Sequence, residues 1–111
     1  MRKRTAAVLL ALAIGAIVAL PVLAATPKLT GTVGPGFTIS MKKPTKAGKY
    51  TLVVSDKSSI HNFHLKGPGV NVKTSVAATG SKTFKITLKK GKYTFLCDPH
   101  ATSMFGSFRI K

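Results

Sequence analysis

The sequence of 111 residues contains only one cysteine, Cys97, and only two acidic side chains, Asp56 and Asp98. A single cysteine excludes an intramolecular disulfide, so a small fold has to be held together in another way. A lone thiol in an exported protein also calls for a role in pairing, reactivity or metal ligation. The scarcity of acid leaves 18 basic residues almost unopposed, with a formal net charge of +16.

The first 25 residues are predicted to be a secretory signal peptide that is cleaved from the folded protein. Residues 2–4 (RKR) form a positive n-region, residues 6–20 form an apolar run, and residues 22–24 (VLA) provide small residues for a cleavage site after Ala24 or Ala25. The alternative is an uncleaved membrane anchor, for which this run is shorter than the roughly 20 residues that a span requires. We therefore expect a location in the bacterial periplasm or cell envelope, or secretion.

Residues 26–111 then form one small domain, near the lower size limit for folding without a disulfide or a metal. A metal that joins two distant segments is one way to hold such a domain together. Without the signal peptide, 15 basic residues face two acidic ones, a net charge of about +13. This charge indicates steering toward an acidic protein partner or an anionic membrane surface, or only a solvated lysine coat. Specific nucleic-acid binding is not expected, because no binding motif accompanies the charge.

From residue 26 onward, apolar residues recur with a period of two, which is typical of half-buried strands. Turn signals rich in glycine and proline separate the runs. The runs are 37–41, 50–54, 84–88 and 93–97, with further strands at 108–110 and weaker ones at 29–33 and 70–77. No segment has helical periodicity. We predict an all-β fold, an antiparallel Greek-key β-sandwich of about seven to eight short strands.

The strongest functional signal is the segment YTFLCDPHATSMFGSF at residues 93–108. Cys97, His100 and Met104 offer a thiolate, an imidazole and a thioether within eight residues, which indicates a metal site. A fourth donor could come from His61 or His64 in the upstream segment SIHNFHL. Two histidines, one cysteine and a weak methionine form the ligand set of a mononuclear blue-copper electron-transfer centre.

Strand alternation favours His61 over His64 as that fourth donor. If residues 61–65 form a strand, His61 shares the core face with Phe63 and Leu65, whereas His64 faces solvent. An inward histidine with no nearby carboxylate is costly unless it is hydrogen-bonded or bound to a metal. We therefore expect His61 to be the ligand and His64 to be a surface residue.

Each of these residues also has an ordinary structural explanation. Cys97 could be a buried inert thiol, His100 a surface histidine and Met104 part of the core. Their coincidence on one loop argues against three independent explanations. Zinc is a competing metal, but structural zinc sites recruit several cysteines and do not use methionine. Nucleophilic catalysis by Cys97 with His100 is disfavoured, because the adjacent Asp98 is expected to point away from the thiol.

The two segments SIHNFHLKGPG and YTFLCDPHATSMFGSF resemble the cupredoxins, the plastocyanin- and amicyanin-like small blue copper proteins, over residues 34–110. The resemblance implies one type 1 copper per chain, bound by His61, Cys97, His100 and Met104. It also implies that Asn62 ties the two ligand-bearing segments together. Phe63, Phe95 and Phe105 would keep the site dry, and His100 would reach the surface through a patch of Pro68, Pro99 and Ala101. The three residues between His100 and Met104 differ in number from the plastocyanin loop.

By the same resemblance, the protein would be a monomeric shuttle of single electrons that serves an acidic redox partner such as a cytochrome or an oxidoreductase. The alternative is a periplasmic protein of the same fold that sequesters or delivers copper, and the presence of only three methionines favours the shuttle. An enzyme is not expected. Multicopper enzymes flank the site cysteine with histidines, whereas Leu96 and Asp98 flank Cys97, and a binuclear site would need a second cysteine.

Overall fold

A computed structural model describes residue 15 and residues 25–111, and the predicted signal peptide lies almost entirely outside these residues. Within the described part, the chain contains eight strands and one short 3-10 helix. The strands are β1 Lys28–Val33, β2 Ile39–Met41, β3 Gly48–Asp56, β4 His64–Gly67, β5 Val70–Lys73, β6 Gly80–Leu88, β7 Gly91–Leu96 and β8 Phe105–Ile110, with the 3-10 helix Asp98–His100 between the last two. No helix in this part is long and apolar enough to cross a membrane.

The strands form two four-stranded sheets, in the orders β2-β1-β3-β6 and β5-β4-β7-β8. The chain passes from one sheet to the other after β3, after β5 and after β6, so the sheets interleave as in a Greek key. The predicted all-β sandwich is confirmed. It contains one parallel pair, β1 with β3, in which Leu29 lies opposite Leu52. Period-two patterning does not encode strand direction, so the sequence could not distinguish this pair from antiparallel ones.

The core lies between the sheets and is rich in aromatic rings. Phe63 and Phe95 stack with ring centroids 5.8 Å apart, and Tyr93 and Phe108 stack at 5.3 Å. Gly31 in β1 makes room for the first stack, because a Cβ there would lie 2.9 Å from the Phe63 ring. Phe95 lies in β7, two residues before Cys97. The aromatic core therefore extends to the base of the loop that carries Cys97.

The buried hydroxyl of Tyr93 fixes the opposite end of β7. It donates a hydrogen bond to the Pro68 carbonyl (2.9 Å) and accepts one from the Lys89 amide (2.9 Å). Pro68 lies in the turn after β4, whereas the other end of β4 is next to Cys97, because His64 pairs with Leu96. Pro68 is therefore far from His100, and its expected place in an apolar patch around that histidine was wrong.

Two local predictions also differ from the structure. β2 begins at Ile39, so Phe37 lies before the strand and is 63% exposed. β4 begins at His64, so His61, Asn62 and Phe63 are irregular rather than the start of a strand. Side-chain alternation cannot be counted through irregular residues. His64 is consequently buried, with only 8% of its surface exposed, and its prediction as a solvent-facing residue was wrong.

Candidate metal centre

Backbone hydrogen bonds shape the loop that follows β7. The Cys97 amide donates to the Met104 carbonyl (3.0 Å), and the His100 amide donates back to the Cys97 carbonyl (3.0 Å). The amides of Ser103 (3.1 Å) and Met104 (2.8 Å) both donate to the His100 carbonyl. Pro99 lies in the first turn of the 3-10 helix, where its missing amide hydrogen costs nothing. The loop thus holds Cys97, His100 and Met104 in fixed relation.

The second segment is held by the Thr74 side chain and backbone. The Thr74 hydroxyl accepts a hydrogen bond from the Phe63 amide (2.9 Å), and the Thr74 amide donates to the Phe63 carbonyl (2.9 Å). Phe63 is anchored in the core by its stack on Phe95. This fixation of Phe63 places His61 opposite the Cys97 loop, on the other side of the site.

Three donor atoms converge between these segments. The Nδ1 atoms of His61 and His100 are 3.0 Å apart, and the Cys97 sulfur lies 3.7 Å from the first and 3.6 Å from the second. His61 and Cys97 are fully buried and His100 is half-buried. In the described part of the chain, His61, Cys97 and His100 form the cluster of potential metal ligands, with all donor atoms within 4.8 Å of one another.

The dimensions of this triangle fit a single first-row metal ion. A point equidistant from the three atoms lies about 2.0 Å from each, close to the metal–nitrogen and metal–thiolate bond lengths of about 2.0 and 2.3 Å found in zinc sites. The thiolate and imidazole donors suit copper. The Nε2 atom of His61 is buried without a hydrogen-bond partner, so Nδ1 is the nitrogen through which this ring interacts with its surroundings.

Met104 is buried beneath the same loop, with 1% of its surface exposed. Its backbone amide and carbonyl hydrogen-bond to His100 and Cys97, so its position depends on the same turn that places the two donors. The sequence predicted a methionine that closes the loop, and the structure places Met104 where the loop rejoins β8. Its thioether is the second sulfur donor that this loop could offer to a soft metal ion, besides the sulfur of Cys97.

Asn62 joins the two segments through three hydrogen bonds. Its Oδ1 atom accepts from the Asp98 amide (2.8 Å), and its Nδ2 atom donates to the Asp98 carboxylate (2.8 Å) and to the Thr74 carbonyl (3.2 Å). The side chain is buried. The structure therefore gives Asn62 the linking geometry that the family resemblance implied.

Asp98 turns away from Cys97, as expected, and toward His64. The His64 Nδ1 atom donates to the carboxylate at 2.8 Å. Burial raises the pKa of Asp98, but hydrogen bonds from His64 and Asn62, together with the charges of His64 and Lys73, lower that pKa below its usual value of 3.8. Asp98 is therefore a carboxylate at neutral pH, and both of its oxygens accept hydrogen bonds beside the site.

Exposed apolar side chains surround the same end of the molecule. Phe37, Ile60 and Phe105 are the exposed large hydrophobic residues of the described chain, at 63%, 55% and 60%. The Phe37 ring meets the rings of His61 and His100 edge to face, at centroid distances of 4.9 and 5.0 Å. We call these three residues the apolar rim. Phe105 lies on the rim and not in the interior, so its expected role in a dry inner shell was wrong.

Sequence reasoning missed Phe37, Thr74 and the contact between His64 and Asp98. Phe37 was assigned to a strand, and only its position after Gly34-Pro35-Gly36 could have placed it in a loop. Thr74 gave no signal. The contact between His64 and Asp98 did give a signal, because Asp98 is the only acidic residue in the segment 93–108 and a carboxylate interacts favourably with a nearby histidine.

Comparison with known proteins agrees with this geometry. Residues 32–111 match the family of copper binding proteins described as the plastocyanin/azurin family. No curated protein matches the sequence significantly.

Solved structures share the fold at low sequence identity. Auracyanin A, a "blue" copper protein from the green thermophilic photosynthetic bacterium Chloroflexus aurantiacus, is 17% identical with a TM-score of 0.53, covering 78% of this chain and all of that one. Reduced rusticyanin is 22% identical with a TM-score of 0.53, covering 76% of each chain. A chain of a heme-copper terminal oxidase is 15% identical with a TM-score of 0.53. The alignment covers 76% of this protein and 63% of the oxidase chain.

The family match spans most of the chain, and the buried His61, Cys97 and His100 cluster is consistent with one type 1 copper per chain. The match includes both segments that carry these residues, together with the strands that position them. The chain therefore belongs to the plastocyanin/azurin family of copper-binding proteins.

Proposed function

We propose that this protein is an exported carrier of single electrons, with His61, Cys97, His100 and Met104 as the ligands of its copper. When bound, copper supplies one-electron chemistry between Cu(I) and Cu(II) at a site of soft and borderline donors. The observation that carries the proposal is the triangle of two imidazole nitrogens and one cysteine sulfur, with sides of 3.0, 3.6 and 3.7 Å.

Burial of the donors favours a carrier over a delivery protein. His61, Cys97 and Met104 are each exposed by no more than 1%. A protein that hands its ion to a partner needs donors that a second set of ligands can reach. In this chain only the half-buried His100 approaches the surface, so an electron can leave by that ring more easily than an ion can leave by ligand exchange.

The proton inventory of the ligands follows from their geometry. Both histidines direct Nδ1 at the site, so each ring must be neutral, with its proton on Nε2. Cys97 must lose its proton, because the thiolate is the form that binds a metal. Metal binding should therefore displace the thiol proton.

The apolar rim and the basic surface supply the two parts of a docking reaction. Phe37 contacts both histidine rings, so a partner that covers Phe37 would lie next to His100. The positive charge of the domain would attract an acidic redox protein from a distance and would make the encounter fast and sensitive to salt. Weak electron-transfer complexes have small interfaces, for which such a rim is sufficient.

The first test is a copper(II) titration of the mature domain, followed by visible spectroscopy and cycles of ascorbate reduction and reoxidation. We expect an intense blue thiolate band that saturates at one ion per chain and returns in each cycle. Cys97→Ser should abolish the band, whereas the exposed Lys66→Ala on β4 should leave it unchanged. A pale complex, or one that does not cycle, would contradict the carrier function.

Export and docking need separate measurements. Mass spectrometry of the protein from a bacterial periplasm should show a mature chain that begins at residue 25 or 26. Stopped-flow electron exchange with an acidic cytochrome should slow as salt rises. Phe37→Ala should slow the exchange at every salt concentration, because it removes a contact and no charge. Equal rates at low and high salt would refute electrostatic steering.

A further inference from the structure

Beside the copper site lies a buried histidine that is not one of its proposed ligands. His64 begins β4, and both of its ring nitrogens are engaged. Nδ1 donates to the Asp98 carboxylate at 2.8 Å, and Nε2 is hydrogen-bonded to the side-chain amide of Asn71 in β5 at 2.6 Å. Neither nitrogen is free to bind a metal. A buried side chain with two short, specific contacts has a defined orientation, and the partner at its Nδ1 end immediately follows Cys97 in sequence.

The contacts continue from Asp98 to both ligand-bearing segments. One Asp98 oxygen accepts from His64, and the other accepts from Asn62 at 2.8 Å. The Asn62 side chain in turn accepts from the Asp98 backbone amide. Asn62 follows His61, and Asp98 precedes Pro99 and His100. The hydrogen-bonded series Asn71–His64–Asp98–Asn62 therefore starts on the edge strand β5. It ends at Asn62, which joins the segment of His61 to the segment of Cys97.

The position of Asp98 depends on His64. Its carboxylate is only partly buried, with 38% of the side chain exposed, whereas the His64 side chain is 10% exposed. A partly exposed carboxylate can rotate into solvent, and the buried side chains of His64 and Asn62, one at each carboxylate oxygen, oppose this rotation. Lys73 lies opposite His64 in the strand pair and adds a favourable charge for Asp98, but it makes no direct ion pair with that residue among the described contacts.

We infer that His64 is a positioning residue for the copper site, which acts by holding the Asp98 carboxylate against Asn62 and so fixes the separation of His61 from the Cys97 loop. This inference rests on the proposed function in one respect, the identity of the bound metal. Residues that orient ligands from outside the coordination sphere typically change metal affinity or activity by about 10- to 100-fold when they are replaced.

The test compares His64→Ala, Asp98→Ala and the double variant, with Lys66→Ala as a matched control on the exposed face of β4. Copper(I) affinity is measured by competition with bicinchoninate, and the copper(II) forms are compared by electron paramagnetic resonance and reduction potential. We expect His64→Ala to keep the blue band, to lower copper(I) affinity about 10- to 100-fold and to change both the hyperfine splitting and the potential. Because His64 acts through Asp98, the double variant should match Asp98→Ala alone.

Each outcome has a definite meaning. If His64→Ala binds and cycles copper like the wild type, or if the effects of the two single variants add in full, the inference is wrong. His64→Gln keeps a donor for Asp98 and should recover part of the loss, and it replaces His64→Ala in the cycle should that variant not fold. A wild type that binds copper without cycling would refute the electron-carrier function, while the affinity comparison would still decide the role of His64. A wild type that binds no copper would refute both.

Discussion

Replacement of Asn62 by alanine should both destabilise the fold and disturb the metal site. The side chain is 2% exposed and makes three hydrogen bonds, two to Asp98 and one to the Thr74 carbonyl. Each intramolecular hydrogen bond contributes about 1 kcal/mol net, and a buried group left without a partner costs about 1–3 kcal/mol. Asp98 can recover water contacts, but the Thr74 carbonyl cannot easily do so. We therefore expect Asn62→Ala to lower the free energy of unfolding by about 2–4 kcal/mol.

Urea unfolding of the metal-free protein measures this loss, and Tyr93→Phe is the matched control. That variant also removes a buried hydrogen-bonding group, with partners Pro68 and Lys89, at the opposite end of β7. It should cost about 1–3 kcal/mol and leave the copper spectrum unchanged. Asn62→Ala should change the spectrum as well. A loss below about 1 kcal/mol for Asn62→Ala, or an unaltered spectrum, would refute the view that this residue couples the two segments.

Three further results are expected. Met104→Gln should keep the blue colour and lower the reduction potential in voltammetry, because it replaces a soft thioether with an amide that favours Cu(II); an unchanged potential would mean that Met104 does not bind the metal. The pKa of Asp98 is lowered in the folded state, so the metal-free wild type should be more stable than Asp98→Asn above about pH 4. This difference in the free energy of unfolding should disappear as the pH falls through the folded pKa. A difference that does not change with pH would contradict this reasoning. Gly106→Ala should lower the thermal midpoint, since a Cβ there would overlap the Phe95 ring, at a cost of about 1–3 kcal/mol; an unaltered midpoint would show that β8 can shift without penalty.

Much of the fold could be predicted from the sequence because period-two patterns report which faces of a strand are buried. The alternation in residues 50–54 and 84–88 correctly located β3 and β6. Strand direction and strand ends could not be predicted in this way. The parallel pairing of β1 with β3 depends on the path of the chain between them. The start of β4 depends on the hydrogen bonds between Phe63 and Thr74, two residues that are 11 positions apart in the sequence.

The convergence of His61, Cys97 and His100 could be predicted for a different reason. Cysteine and histidine are rare in this chain, so their clustering on one segment was informative without knowledge of the fold. The prediction for His64 failed because it relied on strand alternation, which was counted through the irregular residues 61–63, and because it did not assign Asp98 a partner. Composition reveals which groups are available for chemistry, but hydrogen bonds between distant segments decide which of them meet.

The two acidic residues of the chain show how this protein combines a strongly basic surface with an ordered site. Asp56 is buried and accepts hydrogen bonds from the Ser58 amide (3.0 Å) and the Thr74 hydroxyl (3.5 Å). Asp98 accepts from His64 and Asn62. Both carboxylates therefore support the segments that carry His61 and Cys97. In the docking that we propose, the lysines would attract an acidic partner from a distance, but this long-range attraction alone would not set the orientation of the two proteins. We expect the apolar rim to set this orientation, because its three residues are the exposed large hydrophobic side chains of the described chain and Phe37 contacts the ring of His100.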